Sequence, residues 1–167
     1  MSSEFSPIRG AQGYQQSNPC VLAVASLRGS LQIFKSVGMM QPIRERSIKL
    51  TGEFERLLKT SRFFVPLEQV AQENNNRSSA RRFTIITPSE PARRGAQLSL
   101  LFLPIGSDTM KTVFMCLSVH GVVGDEREPD VIRMSPVPLY NTLADCERTA
   151  QILDTIMASL QLVHCRL

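Results

Sequence analysis

The sequence has only two histidines, His120 and His164, and four cysteines, Cys20, Cys116, Cys146 and Cys165, none of them in a C-x-x-C pair. That spacing excludes the usual structural zinc arrangements. There is no run of about 20 apolar residues, the length a membrane-spanning helix needs, and MSSEFSPIRG at the start carries no apolar signal-peptide core. Aromatics make up 6% of the 167 residues, and the formal net charge of +4 is scattered, with Arg81-Arg82 and Arg93-Arg94 as the densest basic pairs. A nucleic-acid surface gathers basic residues with aromatics between them, so none is expected. No G-x-x-x-x-G-K-[ST] phosphate loop and no internal repeat occurs. What remains describes a cytoplasmic chain, 43% hydrophobic and long enough to bury a sizeable core.

Residues 1 to 18 hold Pro7, Gly10, Gly13 and several Ser and Gln without periodicity, and read as an extended arm. Ser17 or Asn18 can cap the helix that follows, with Pro19 in its first turn and Cys20, Val24, Leu27, Leu31 and Phe34 along one side. A break at Gly38 and Pro42 leads to a second helix with Ile43, Leu50, Phe54, Leu57 and Leu58 as its apolar stripe. Cys20 and Cys146 fall on apolar helix faces, as reduced core cysteines do. The polar run from residue 69 to 82, with its Asn triplet, reads as a surface loop. FTIIT and LSLLFL, parted by Pro88, Pro91 and Gly95, read as neighbouring strands.

A helix after Asp108 carries Met110, Val113, Phe114 and Leu117 and stops at Gly121, where His120 suits the negative end of its dipole. Two short strands follow, near Val122-Val123 and at Val131–Met134. Thr142 and Asp145 then make a capping-box start for a last helix with Leu143, Cys146, Ala150, Leu153, Met157 and Leu160. His164-Cys165 falls in the tail. Helices on one face of a small, mostly antiparallel sheet bury all of these stripes, so the expected fold is α+β.

Within VIRMSPVPLYN, alternation sends Ile132 and Met134 to one face and Val131 and Arg133 to the other. No acidic residue adjoins Arg133 in the sequence. Pro136 and Pro138 stiffen the backbone after it and suit a sheet margin. Arg133 is either an edge-strand arginine reaching water or a fork kept for a planar carboxylate. Asn18 is likewise either a helix cap or a polar group kept for a ligand.

QQSNPCVLAVASLRGSLQIF, SIKLTGEFERLLK, FTIITPSEPARRGAQLSL and HGVVGDEREPDVIRMSPVPLYNT stand in the same order in the C-terminal part of kynureninases, which the chain resembles from about residue 7 to about residue 161. The resemblance implies the small domain of a pyridoxal-phosphate enzyme of the aspartate-aminotransferase fold, a homodimer. Such enzymes hydrolyse L-kynurenine or its 3-hydroxy form to anthranilate or 3-hydroxyanthranilate plus L-alanine. By position, Arg133 is similar to the family arginine that grips the α-carboxylate. Asn18 matches the asparagine facing the cofactor and the substrate ring, with Ser17 beside it, and Tyr14 stands where an aromatic residue is usual.

The family's Schiff-base lysine, pyridine-facing aspartate and phosphate ligands belong to a large domain that would precede residue 1. Lys35, Lys49, Lys59 and Lys111 lie in helical segments and none is in the family's lysine motif, so no catalytic residue and no metal ligand is expected in residues 19 to 167. Three expectations follow from the resemblance: a piece of a kynureninase active only when whole, a partner that complements a large-domain chain or pairs with a homologous subunit, or a non-catalytic domain that binds a carboxylate. The stripe from Cys20 to Phe34 calls for a covering surface, and self-association is expected where it has none.

Overall fold

The computed structural model describes residues 6–75 and 80–164. Cys165 and the end of the Asn-rich run lie outside them. The chain forms two compact units, Met1–Pro42 and Ile43–Leu167.

In the first unit the arm is not wholly extended, because Ala11–Tyr14 closes a 3-10 turn after Gly10. Helix α1, Val21–Ser36, starts later than its sequence suggests: Cys20, in extended conformation, is the N-cap, and its carbonyl accepts from Val24 N at 3.0 Å. Neither Ser17 nor Asn18 caps it. A capping side chain must sit at the N-cap itself, and Pro19 biases Asn18 toward extended backbone, so both polar groups come too early. The helix buries none of its residues, with Val21 78% and Leu22 80% exposed. Cys20 is exposed too, contrary to its expected burial. The helix ends where Gly38 takes φ 88° and Met39 N donates to Phe34 O at 2.8 Å. Pro42 is no second break, since it sits in the first turn of α2, Met40–Thr60, where a missing N–H costs nothing.

In the second unit α2 buries Leu50, Phe54 and Leu58 on one side, together with Ser47, Thr51 and Glu55. Its end is tied down by Ser61, whose hydroxyl donates to Asp154 Oδ1 at 2.5 Å and accepts from Phe63 N at 3.1 Å. A short helix α3, Val70–Asn75, occupies part of the run expected to be loop. Strands β1 (Arg82–Ile85) and β2 (Leu98–Leu103) pair antiparallel. Phe64 bridges β1 in parallel on its far side, with Val65 N donating to Phe83 O at 2.9 Å, a pairing the sequence pattern does not announce.

Helix α4, Thr109–Val119, buries Met110, Val113 and Leu117. The next strand, β3, is Asp125–Arg127 rather than the expected Val122-Val123. Val123 is 93% exposed, and Gly124 passes so close to β4 that a Cβ there would meet Ile132 Cγ2 at 3.0 Å. Strand β4, Val131–Met134, lies between β2 and β3, so the sheet order is β1-β2-β4-β3, all antiparallel. Helix α5, Leu143–His164, begins with the expected capping box: Thr142 N donates to Asp145 Oδ2 at 2.8 Å and Asp145 N to Thr142 Oγ1 at 3.2 Å.

The core is one cluster. Leu98, Leu100 and Phe102 of β2, Ile132 and Met134 of β4 and Phe83 and Ile85 of β1 pack with Leu50, Phe54 and Leu58 of α2, Val113 and Leu117 of α4, and Leu153 and Met157 of α5. The α+β expectation therefore holds. Cys146 is buried in the same cluster, and burial, with the charges of Asp145, Glu53 and Glu147, pushes its thiol up to about 11. It is an inert packing residue.

The basic pair Arg93-Arg94 is not simply surface charge. Arg94 has a side chain only 4% exposed, 2.5 Å from Glu55 Oε2, while Lys59 Nζ lies 2.6 Å from Glu55 Oε1. Arg44 donates to Arg94 O at 3.0 Å and also to Pro91 O. Burial would push the Glu55 carboxyl up, but Lys59 and Arg94 outweigh it and hold it below the usual range. Removing one partner of a buried pair leaves the other charge uncompensated, so Glu55→Ala should lower unfolding stability by about 3 kcal/mol. Glu53, in an exposed pair with Arg56, should tolerate the same change. Urea denaturation of the two variants checks this; equal midpoints would show that Glu55 does not hold the β1–β2 loop.

Candidate functional site

The face of the sheet turned away from the core cluster carries the candidate site. Burial along β4 alternates, with Ile132 and Met134 buried and Val131 and Arg133 partly exposed. Register then fixes the neighbours of Arg133. Ser99 of β2 stands opposite it on one side and Asp125 of β3 on the other.

Arg133 is therefore not a lone cation. Its Nε donates to Asp125 Oδ2 at 2.8 Å and its Nη2 donates to the same oxygen. Arg127 Nη2 also reaches Oδ2, at 2.9 Å. The hydrogen bond from Arg133 holds the Asp125 carboxyl below the usual carboxylate range against the opposing effect of desolvation, with the charges of Arg127 and Arg133 adding to it. On the other side, Gln97 Nε2 donates to Ser99 Oγ at 3.2 Å, and Ser99 N donates to Thr87 Oγ1 at 2.8 Å. Among the described residues, Nη1 of Arg133 has no hydrogen-bond partner. The side chain keeps 31% exposure, enough for a ligand to reach it.

The segment after Arg133 is held as firmly as its prolines suggest, but by an asparagine. Val137 N donates to Asn141 Oδ1 at 2.8 Å, Asn141 N donates to Val137 O at 2.8 Å, and Arg46 Nη2 donates to Asn141 O at 3.1 Å. These bonds close the PVPLYN turn and anchor it to α2.

The sequence pattern missed Asp125. A hairpin centred on Pro129 sets residue 125 against 133, but placing the strand at Val122-Val123 hides that register. Ser17 and Asn18 lie exposed in the first unit, just ahead of α1, where Ser17 O accepts from Gln15 Nε2 at 3.0 Å. Arg133 lies in the second unit.

A groove of about 600 Å³ between α2, α4 and the start of α5 is lined by Phe54, His120, Met134, Tyr140, Cys146 and Arg148, among others, and Arg133 is not among its walls. His120 Nδ1 donates to Cys116 O at 2.8 Å, which leaves only Nε2 for other work. No cluster of three or more His, Cys, Asp or Glu residues with metal-binding geometry exists among the described residues. None of their helices is long and apolar enough to cross a membrane.

Pyridoxal phosphate needs a lysine in a cavity with donors for its phosphate. Lys59 pairs with Glu55 at 2.6 Å and Lys111 with Glu128 at 3.4 Å, while Lys35 and Lys49 are exposed on helices. None lines the groove. The described residues do not by themselves fit that cofactor.

A depressed carboxylate contributes stability that is present above its unfolded pKa and is lost as pH falls through its folded pKa. Asp125 should thus titrate below 3.8, and Arg133→Ala should raise that midpoint. Carboxyl-detected NMR between pH 2 and 6 reads both; a midpoint unmoved by the substitution would mean that the pair does not persist in solution.

Comparison with known proteins agrees with this architecture. Residues 43–153 match a family model described as the kynureninase C-terminal domain. The kynureninase of Yarrowia lipolytica is 50% identical over 154 residues, covering 92% of this chain and 34% of that protein. The kynureninase of Eremothecium gossypii is 44% identical over 164 residues, covering 96% and 35%. Kynureninase 2 of Neurospora crassa is 41% identical over 146 residues, covering 87% and 27%. The chain spans about a third of the length of the first two of these curated relatives and about a quarter of the third. With a sheet, helices and register that carry the matched segment from Ile43 into α5, the chain belongs to the kynureninase family.

Proposed function

We propose that this chain supplies the carboxylate-binding part of a kynureninase, a hydrolase that converts L-kynurenine or 3-hydroxykynurenine to anthranilate or 3-hydroxyanthranilate plus L-alanine. The carrying observation is Arg133, partly exposed on the face away from the core, with Nη1 unengaged among the described residues. A guanidinium so placed takes a planar carboxylate through two parallel hydrogen bonds. Asn18 faces the cofactor and the aromatic ring of the substrate, with Ser17 beside it on the substrate side. An amide can donate to the ring hydroxyl or to the ketone oxygen and so help choose between the two substrates.

The cofactor of this activity is pyridoxal phosphate. Its Schiff-base lysine and phosphate ligands belong to the part of the kynureninases that the chain does not match. The working enzyme is a cytoplasmic homodimer in tryptophan degradation and the supply of NAD precursors, and the chain acts by joining a large domain or a homologous subunit.

The test mixes the purified chain with the separately produced large domain of the Yarrowia lipolytica relative, pyridoxal phosphate and L-kynurenine, and follows anthranilate fluorescence. Turnover is expected from the mixture and not from the chain alone. Arg133→Ala should cut kcat/KM of the mixture by about a hundred-fold, the worth of one or two charge-assisted hydrogen bonds. Turnover by the chain alone, with borohydride trapping the cofactor on Lys35, Lys49, Lys59 or Lys111, would overturn the reading. Stable pairing without turnover would favour a non-catalytic partner.

A further inference from the structure

A guanidinium offers two edges for bidentate contact, a side-on edge of Nε with one Nη, and an end-on edge of Nη1 with Nη2. On Arg133 the side-on edge is taken. Nε and Nη2 both donate to Asp125 Oδ2, and the pair is placed by strand register, residue 125 standing directly opposite residue 133. Among the described residues, Nη1 and the second hydrogen of Nη2 are left for a ligand.

We propose that Asp125 is a positioning residue: by holding the side-on edge of Arg133 it aims the end-on edge at the substrate carboxylate. The proposal rests on the reading of Arg133 given above. An aspartate placed to compete with substrate would occupy the end-on edge, and this one does not. Arg127 also donates to Asp125 Oδ2, so one carboxylate faces two guanidiniums and the trio keeps a positive charge that still attracts an anion. Arginine is a long side chain with many rotamers, and a guanidinium already fixed loses less freedom when its ligand arrives. Gln97, Ser99 and Thr87 bond to one another on the β2 side of Arg133. Among the described residues they make no hydrogen bond to it, which leaves the orienting role to Asp125.

The experiment follows the Arg133 guanidinium signals of the ¹⁵N-labelled full chain by NMR, in wild type, Asp125→Asn and Asp125→Ala. Each is titrated with L-kynurenine and with its decarboxylated analogue. Wild type should show a sharp, solvent-protected Nε–H signal. L-Kynurenine should move the Nη signals and leave Nε–H in place, and the analogue should move neither. In Asp125→Ala the Nε–H signal should broaden into exchange and the affinity for L-kynurenine should fall about ten-fold, the worth of one net hydrogen bond. Asp125→Asn, which keeps the shape without the charge, should fall between. Unchanged or tighter binding in Asp125→Ala sinks the positioning role alone. No response of Arg133 to L-kynurenine in wild type, with Nε–H still protected, sinks the carboxylate reading and this proposal with it.

Discussion

Burial of a single sheet face governs this domain. Side chains along a strand alternate between faces, so committing Leu98, Leu100, Phe102, Ile132 and Met134 to the cluster beneath α2, α4 and α5 commits Ser99, Val131 and Arg133 to the other side. A slip of one residue in β4 would bury the guanidinium and expose Ile132. The penalty for that exchange includes both lost apolar burial and an uncompensated charge, and each alone is large on the scale of domain stability. The position of Arg133 is thereby guaranteed by residues that never touch a ligand. The same register brings Asp125 to it across β3 and β4, although the two lie eight positions apart in sequence.

The larger elements were legible in the sequence because their periods are unambiguous. α5 announces itself through a 3-4 apolar spacing and a capping box whose two reciprocal bonds both form. β2 is apolar except for Ser99 and is flanked by turn residues, and it occupies the six positions its sequence marks out. Among the readings that failed, three did so for especially clear reasons. Val122-Val123 has the composition of a strand, yet the chain there is leaving α4, and pairing begins only at Asp125, after Gly124 has crossed Ile132 at close range. Ser17 and Asn18 have the chemistry of caps but stand on the wrong side of Pro19. Cys20 lies on the apolar side of α1, a helix that buries none of its residues. Periodicity shows which side of a helix is apolar and is silent on what covers it.

The site was legible only in part. Alternation places Arg133 on the outer face, and the prolines after it suggest a stiff margin, but neither shows which groups stand across the strand. A contact set by register is invisible to composition. Asp125 sits in DER, a tripeptide that resembles any solvated edge, and becomes meaningful only once the hairpin is centred at Pro129. The PVPLYN turn is likewise held by the bonds of Asn141, which its prolines do not announce.

Two arginines in this unit show how the same side chain is turned to opposite ends. The Arg94 side chain is 4% exposed, ion-paired with Glu55, and its Nη1 lies 3.3 Å from Pro88 O, so it is tied to the β1–β2 loop and α2. A ligand could reach it only by breaking a buried pair, a change that costs several kcal/mol and would unpin the loop. Arg133 is 31% exposed and gives one edge to a carboxylate that is itself half in water. Exposed pairs of this kind add little to stability. A pair that stabilises so little and yet fixes a fork so definitely is better explained by what the fork is held for. On that ground Arg94 belongs to the scaffold, while Arg133 keeps an edge open for the carboxylate binding proposed above, a distinction drawn from exposure and from what each arginine has left to offer.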